Sequence, residues 1–110
     1  MNPETIEALI AKGRDTYEAR LAAGQARRAN GDLDRAIEHL HRATTHDPER
    51  TAAWQELGKC YNDRSQTGDH DEARRAWDRG LAAARANGDK QAEKVITVWL
   101  RRLDRNAKTD

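Results

Sequence analysis

At 110 residues the chain is sized for one domain, and it holds no run of about eighteen apolar residues that would span a bilayer. Twenty basic against nineteen acidic residues give a net charge of +1, which excludes a global field that would draw the protein onto nucleic acid or anionic lipid. A lone cysteine, Cys60, excludes an intrachain disulfide and any Cys-x-x-Cys motif, in keeping with a reducing, cytoplasmic location.

The first predicted element is a short helix over about 3–12, with Ile6, Leu9 and Ile10 on one face. Its early acids, Glu4 and Glu7, and the want of a long apolar stretch argue against a secretory signal. Lys12-Gly13 breaks it, and a second helix runs over about 15–30. Asn30-Gly31-Asp32 then supplies a Gly for the left-handed residue after one helix and an Asp to accept amide hydrogens at the start of the next. A third helix over 33–46 stops at Asp47-Pro48, because Pro disfavours helical geometry in the residue before it. A fourth over 49–66 ends at Thr67-Gly68-Asp69, a fifth over 70–87 at Asn87-Gly88-Asp89, and a sixth covers 89–106. Asn106 to Asp110 read as a free tail. No segment alternates as a strand does, so the fold class is all-α, with short turns that make neighbours antiparallel. Leu, Ile, Val and Phe number only fourteen, but near-zero net charge argues against disorder, and nineteen alanines suit closely packed helices.

The central helices repeat. Gly24 and Gly58 are 34 residues apart; beyond the turn at 65–68 the offset becomes 37, so that Gly31-Asp32 matches Gly68-Asp69, Ala36 matches Ala73, Leu40 matches Trp77 and Ala43 matches Gly80. The second pair has gained three residues before its turn, in the stretch NDRSQTGD, which predicts a longer fourth helix projecting Asn62, Asp63 and Gln66. Small residues at 24, 58, 36, 73, 43 and 80 let helices approach, and Trp54, Leu57, Tyr61, Leu40 and Trp77 are expected to fill the space between pairs.

The pattern Trp54-x-x-Leu57-Gly58-x-x-Tyr61, then Ala73-x-x-x-Trp77-x-x-Gly80, with Ala36-x-x-x-Leu40-x-x-Ala43 and Pro48 closing the earlier pair, resembles the tetratricopeptide repeat (TPR) over residues 17 to about 85. The resemblance implies an α-solenoid: antiparallel helix hairpins stacked as a short right-handed superhelix of about six helices. The expected single domain, 1–110, comprises a capping helix (3–14), repeat 1 (15–48), repeat 2 with its insertion (49–87) and a second capping helix (89–106). Two repeats leave apolar faces open at both ends, hence the two caps. Arg20 and Arg27 stand where the family places aromatic residues. Either they bury their stems along the first helix with their heads in water, or they form a paired anion site.

The resemblance implies a protein-interaction module, an adaptor with no catalysis and no cofactor, which holds a peptide segment or partner helix in a concave groove. Carried over, the groove residues are Glu18, Leu21, Gln25 and Arg28 from the first repeat and Ala52, Gln55, Lys59, Asn62 and Asp63 from the second. Each set falls on one helical stripe, and its mixed charges suit a partner of both signs or a plain solvated face. Leu21 and Gln25 occupy places where a Lys and an Asn would grip a C-terminal carboxylate, so that mode is disfavoured. Neutral charge and scattered acids weigh against nucleic acid.

In the last helix, Val95, Ile96, Val98, Trp99, Leu100 and Leu103 spread over roughly 200°, more than one buried face requires. Either the helix is a deeply wedged cap, or Val95, Val98, Trp99 and Leu103 join a second chain and make a homodimer. His39, His41, His46 and His70 lack zinc-site spacing and are expected at exposed or capping positions, with no metal. Cys60 is expected in the core.

Overall fold

The computed structural model describes residues 2–109, with side chains described for 2–106. Six helices follow in chain order: α1 Pro3–Ala11, α2 Tyr17–Ala29, α3 Leu33–His46, α4 Thr51–Arg64, α5 Asp69–Asn87 and α6 Lys90–Thr109. Each packs mainly against its neighbours in sequence, and α2 also touches α4. The second, fourth and fifth turns place Gly31, Gly68 and Gly88 at positive φ. Asp32 and Asp89 cap as expected, accepting from the amides of Arg35 (3.2 Å) and Ala92 (3.0 Å). The expected tail is helical instead: α6 continues through Thr109, and Asp110 lies outside the described residues.

Glycine sets the packing within each pair. A methyl group on Gly24 would lie 2.6 Å from Leu40 Cγ, and one on Gly58 would lie 2.1 Å from Trp77 Nε1. Leu40 and Trp77 therefore fill the space inside their own hairpins as well as joining the core between pairs. The helix-propensity cost of each Gly, about 1 kcal/mol, is offset by this close approach. Between pairs, Leu57, Cys60, Tyr61, Ile37 and Leu40 form one buried core that continues through Trp77 to Ile96 and Leu103. Cys60 is fully buried, and that burial pushes its thiol up to about 11, so it is a packing residue as expected.

The three-residue insertion shapes a turn more than a helix. α4 ends at Arg64, with Ser65 at φ 54 in the left-handed region. Asp69, matched in sequence to the capping Asp32, faces backward: its buried carboxylate accepts two bonds from Arg64 (2.8 Å each) and one from the Gln66 amide (2.9 Å). Arg64 also donates to Asp34 on α3 (2.9 Å), so one guanidinium joins the turn to the preceding repeat. These carboxylates hold Arg64 well above the usual arginine range, and Arg64 holds Asp69 below the usual carboxylate range. Gln66 sits on this turn beside Ser65 and His70, in a cleft that adjoins that of Arg28 and Lys59 through Asn62 and Leu103.

Tyr17 gives the stack a further joint. Arg50, at the N-cap of α4, makes no side-chain capping bond, and the Tyr17 hydroxyl accepts instead from the Ala53 amide (3.1 Å) while the Arg50 guanidinium lies 4.0 Å over its ring. A buried helix-end amide is thus satisfied from the previous repeat.

Candidate functional site

α2 and α4, with α6 beyond them, form the inner face; α3 and α5 form the outer one. On the inner face, Arg28, Lys59, Asn62 and Asp63 converge with Trp99 and Arg102 around a cleft of about 270 Å³. Four of the residues expected in the groove therefore meet in space. The other expected positions do not line this cleft: Glu18 is exposed and bonded to Arg50 (2.7 Å), Gln25 and Ala52 are exposed, and Leu21 and Gln55 are half-buried. The Gln55 carbonyl accepts from Trp77 Nε1 (3.2 Å).

Much of the charge in the cleft is paired across it. Arg28 donates to Asp63 from Nε (3.3 Å) and Nη2 (3.0 Å), and Glu56 lies between Arg28 (4.0 Å) and Lys59 (3.4 Å). Lys59 Nζ sits 4.9 Å over the Trp99 ring, which stacks on Trp77 with centroids 5.4 Å apart. Arg102 has no carboxylate in reach among the described residues. The cleft thus offers an aromatic floor, one uncompensated cation and two cations already held by acids.

Trp99 was not expected in this cleft, because its presence there requires α6 to fold back beside α4. The wide apolar arc of α6 has the same cause. Ile96 and Leu103 are buried against α5 while Trp99 turns to Trp77 and Lys59, so the arc serves two contacts. Of the residues expected at a second chain, Leu103 is buried in the chain's own core and Trp99 is half-buried there; Val95 is half-buried and Val98 is 41% exposed.

The outer face has a larger cleft, about 510 Å³, where α3 and α5 diverge over Trp54, Leu57 and Tyr61 of α4. Its polar handles are engaged: Trp54 Nε1 donates to the Pro48 carbonyl (2.9 Å) and the Tyr61 hydroxyl bonds to His41 (3.1 Å). Size alone does not make it the better site, since its remaining charges stand at the rim.

Arg20 and Arg27 neither hold their heads in water nor leave an anion site open. Arg27 is buried and clasps Glu7 through Nε (3.0 Å) and Nη2 (2.5 Å), with Glu4 at 3.6 Å and Asp32 at 3.8 Å. Arg20 clasps Asp15 (2.7 and 2.9 Å) and donates from Nη1 to His39 Nδ1 (3.0 Å). Arginine can only donate, so Nδ1 accepts and His39 Nε2–H donates to Glu7 (2.6 Å). His46 Nε2 donates to Asp15 (2.8 Å), completing a chain that ties α1 and the α1–α2 turn to α2 and α3. His39 is therefore buried, contrary to the expectation of an exposed histidine. Its place was legible only with Glu7 and Arg20 set opposite it. Arg27 holds the Glu7 carboxyl down at about 2, ahead of the bond from His39 and against the upward push of burial; Arg20 and His46 hold Asp15 well below the usual carboxylate range. Among the described residues, no group of three or more His, Cys, Asp or Glu is arranged to hold a metal, and no helix is long and apolar enough to cross a membrane.

Glycine-mediated hairpins joined end to end define a helical-repeat protein of the solenoid class. The tetratricopeptide repeat model matches residues 4–39 and 21–90. A TPR repeat-containing protein of Pseudomonas aeruginosa, PA0015, is 47% identical over 102 residues, covering 93% of this chain and 94% of that protein. The solution structure of protein BPP2914 from Bordetella parapertussis superposes with a TM-score of 0.80 at 38% identity, covering 98% of this chain and 91% of the other. The chain belongs to the tetratricopeptide repeat family, whose repeats generally mediate protein–protein interaction.

Proposed function

We propose that the protein is a non-catalytic adaptor that holds an extended peptide or partner helix along the inner face, centred on the cleft among Arg28, Lys59, Trp99 and Arg102. The observation that supports this reading is the meeting of residues from three helices over an aromatic floor, with Arg102 uncompensated. A carboxylate of the partner satisfies Arg102, and an apolar or aromatic side chain covers Trp99 beside Lys59. Arg28 and Asp63 exchange their mutual bonds for bonds to the partner's backbone and polar groups, which favours specificity over raw affinity.

The double substitution Arg28→Glu with Lys59→Glu places two like charges beside Glu56 and Asp63. It is expected to abolish capture of a partner from the native lysate while far-UV circular dichroism keeps its helical signal. Arg14→Glu, an exposed change near α1, leaves capture intact. Equal capture by the double variant and the unaltered protein would overturn the proposal.

A further inference from the structure

Two clefts on the outer face join into one groove. The larger, about 510 Å³, is floored by Trp54, Leu57 and Tyr61 of α4, with His41 of α3 on one side. A second, of about 460 Å³, opens beside the turn at Pro48 and Glu49, and the two share Trp54 and Arg79. A single stripe of α5 walls both. Glu72, Arg75, Ala76, Arg79, Ala83 and Ala86 fall within about 100° of arc at 100° per residue, so the groove follows α5 for about 21 Å. It shares no residue with the inner cleft of Arg28 and Lys59.

The floor of this groove is apolar in effect. Trp54 Nε1 is spent on the Pro48 carbonyl and the Tyr61 hydroxyl on His41, so neither asks a polar group of an occupant, while Ala82 and Ala86 stand exposed along the wall. The positive charge open to a partner is concentrated where the two clefts meet. Arg79 is exposed there, its guanidinium 5.8 Å over the Trp54 ring, with no carboxylate in ion-pair reach among the described residues. Arg75, one turn earlier, is already held by Glu72. On the rim, Glu49 and Asp78 are exposed and have no cation in reach among the described residues. The far end is fixed in place, because Asn87 Nδ2 donates to the Glu49 carbonyl (2.8 Å) and ties the α3–α4 turn to the end of α5.

We propose that the outer groove takes an extended peptide of another protein, in which a large apolar residue, an acidic residue and a smaller apolar residue alternate with residues that face away. In an extended chain the side chains of one face recur about every 6.7 Å. With the large side chain over Leu57, Tyr61 and Ala76, the acid two residues on meets Arg79. The next inward residue then covers Ala83 and Ala86, which lie about 10 and 15 Å along α5 from Ala76. The rim favours an extended chain over a helix: unpaired carboxylates at Glu49 and Asp78 can accept backbone N–H groups, which an extended peptide has free and a helix spends on itself. The same acids, with Glu72, repel a phosphate backbone. This second site lies on the outer face and does not depend on occupancy of the inner one.

The test uses the full chain and a fluorescein-labelled peptide with leucine at i, glutamate at i+2 and valine at i+4, separated and flanked by serines. Fluorescence anisotropy is expected to show saturable binding that weakens at least about 10-fold for Arg79→Glu. Ala82→Glu, an exposed change that gives Arg79 a carboxylate three residues on and occupies the smaller cleft, is expected to cause a similar loss. In proton–nitrogen correlation spectra the peptide is expected to shift the Trp54 indole N–H and leave that of Trp99 in place. Arg28→Glu with Lys59→Glu, in the inner cleft, is expected to leave binding unchanged. Should Arg79→Glu disturb folding, Arg79→Gln gives the same test with a smaller loss. The proposal is overturned by absent or undiminished binding in these arms, by equal binding of a peptide with glutamine in place of glutamate, or by loss of binding in the inner-cleft variant. Tighter binding of an alanine-based helical peptide carrying the same three side chains, or of a single-stranded oligonucleotide, overturns it as well.

Discussion

Arg27 carries a charge into a place where the family pattern has an aromatic ring, and it is tolerated because Glu7 meets it with two bonds. Removing one partner of such a pair leaves an uncompensated charge, which is more damaging than the pair itself is stabilising. Glu7 is held at about 2 in the folded protein against an ordinary 4.5. A carboxyl lowered on folding contributes its stability above its unfolded value and loses it as pH falls through its folded value. Glu7→Gln is therefore expected to lower the melting temperature throughout the neutral range, with a deficit that narrows below about pH 4.5 and closes near pH 2. Thermal melts of both proteins from pH 7 to 2 check this; a deficit that stays constant with pH would show that the pairing is not its cause. The Nε2–H tautomer of His39, imposed by Arg20, belongs to the same network and is visible in its ring nitrogen shifts.

At the scale of the helix and its turn, the insertion before Asp69 shows how three residues can be absorbed without lengthening a solenoid. Ser65 takes the left-handed conformation at the end of α4, which costs a residue with a side chain about 1 kcal/mol relative to one without. Its hydroxyl donates to the Asn62 carbonyl (2.6 Å), an exposed bond that recovers little. Ser65→Gly is expected to stabilise the protein by up to about 1 kcal/mol, a rise of several degrees in melting temperature that calorimetry reads directly. A fall would mean that the Ser65 hydroxyl matters more to the turn than its backbone conformation. The same turn explains why Asp69 is not the cap its sequence suggests. Arg64 and the Gln66 amide take up its carboxylate, and α5 begins without a side-chain cap from Gly68.

Across the whole molecule, helices that touch mainly their sequence neighbours make stability a sum of local interfaces, lowest at the ends. α1 is nine residues long and packs on α2 alone at any density, although the Glu7 network pins it. The buried core runs instead through α3, α4 and α5 and on into α6. Native-state hydrogen exchange is expected to be slowest around Ala36–Leu40, Leu57–Tyr61 and Ala73–Trp77 and markedly faster in α1. Protection in α1 equal to that in α4 would mean that the chain opens only as one unit. Along α6, protection is expected to be strongest around Ile96 and Leu103, whose side chains are buried in the core.

The sequence by itself determined the local features. Helical periodicity, Gly-Asp punctuation and the Gly24 and Gly58 spacing carried the six helices to within a few residues, because turns and hairpin packing depend on residues close in the chain. Tertiary structure alone decided which distant charges meet. Glu7 lies 20 residues from Arg27 and 32 from His39, Arg64 lies 30 from Asp34, and Trp99 reaches the inner cleft only because α6 folds beside α4. A guanidinium reads the same in a sequence whether it is solvated, buried or offered to a partner. Only the position of the opposing carboxylate separates Arg27, clasped by Glu7, from Arg101 and Arg105, which are exposed on α6 with no carboxylate in reach among the described residues.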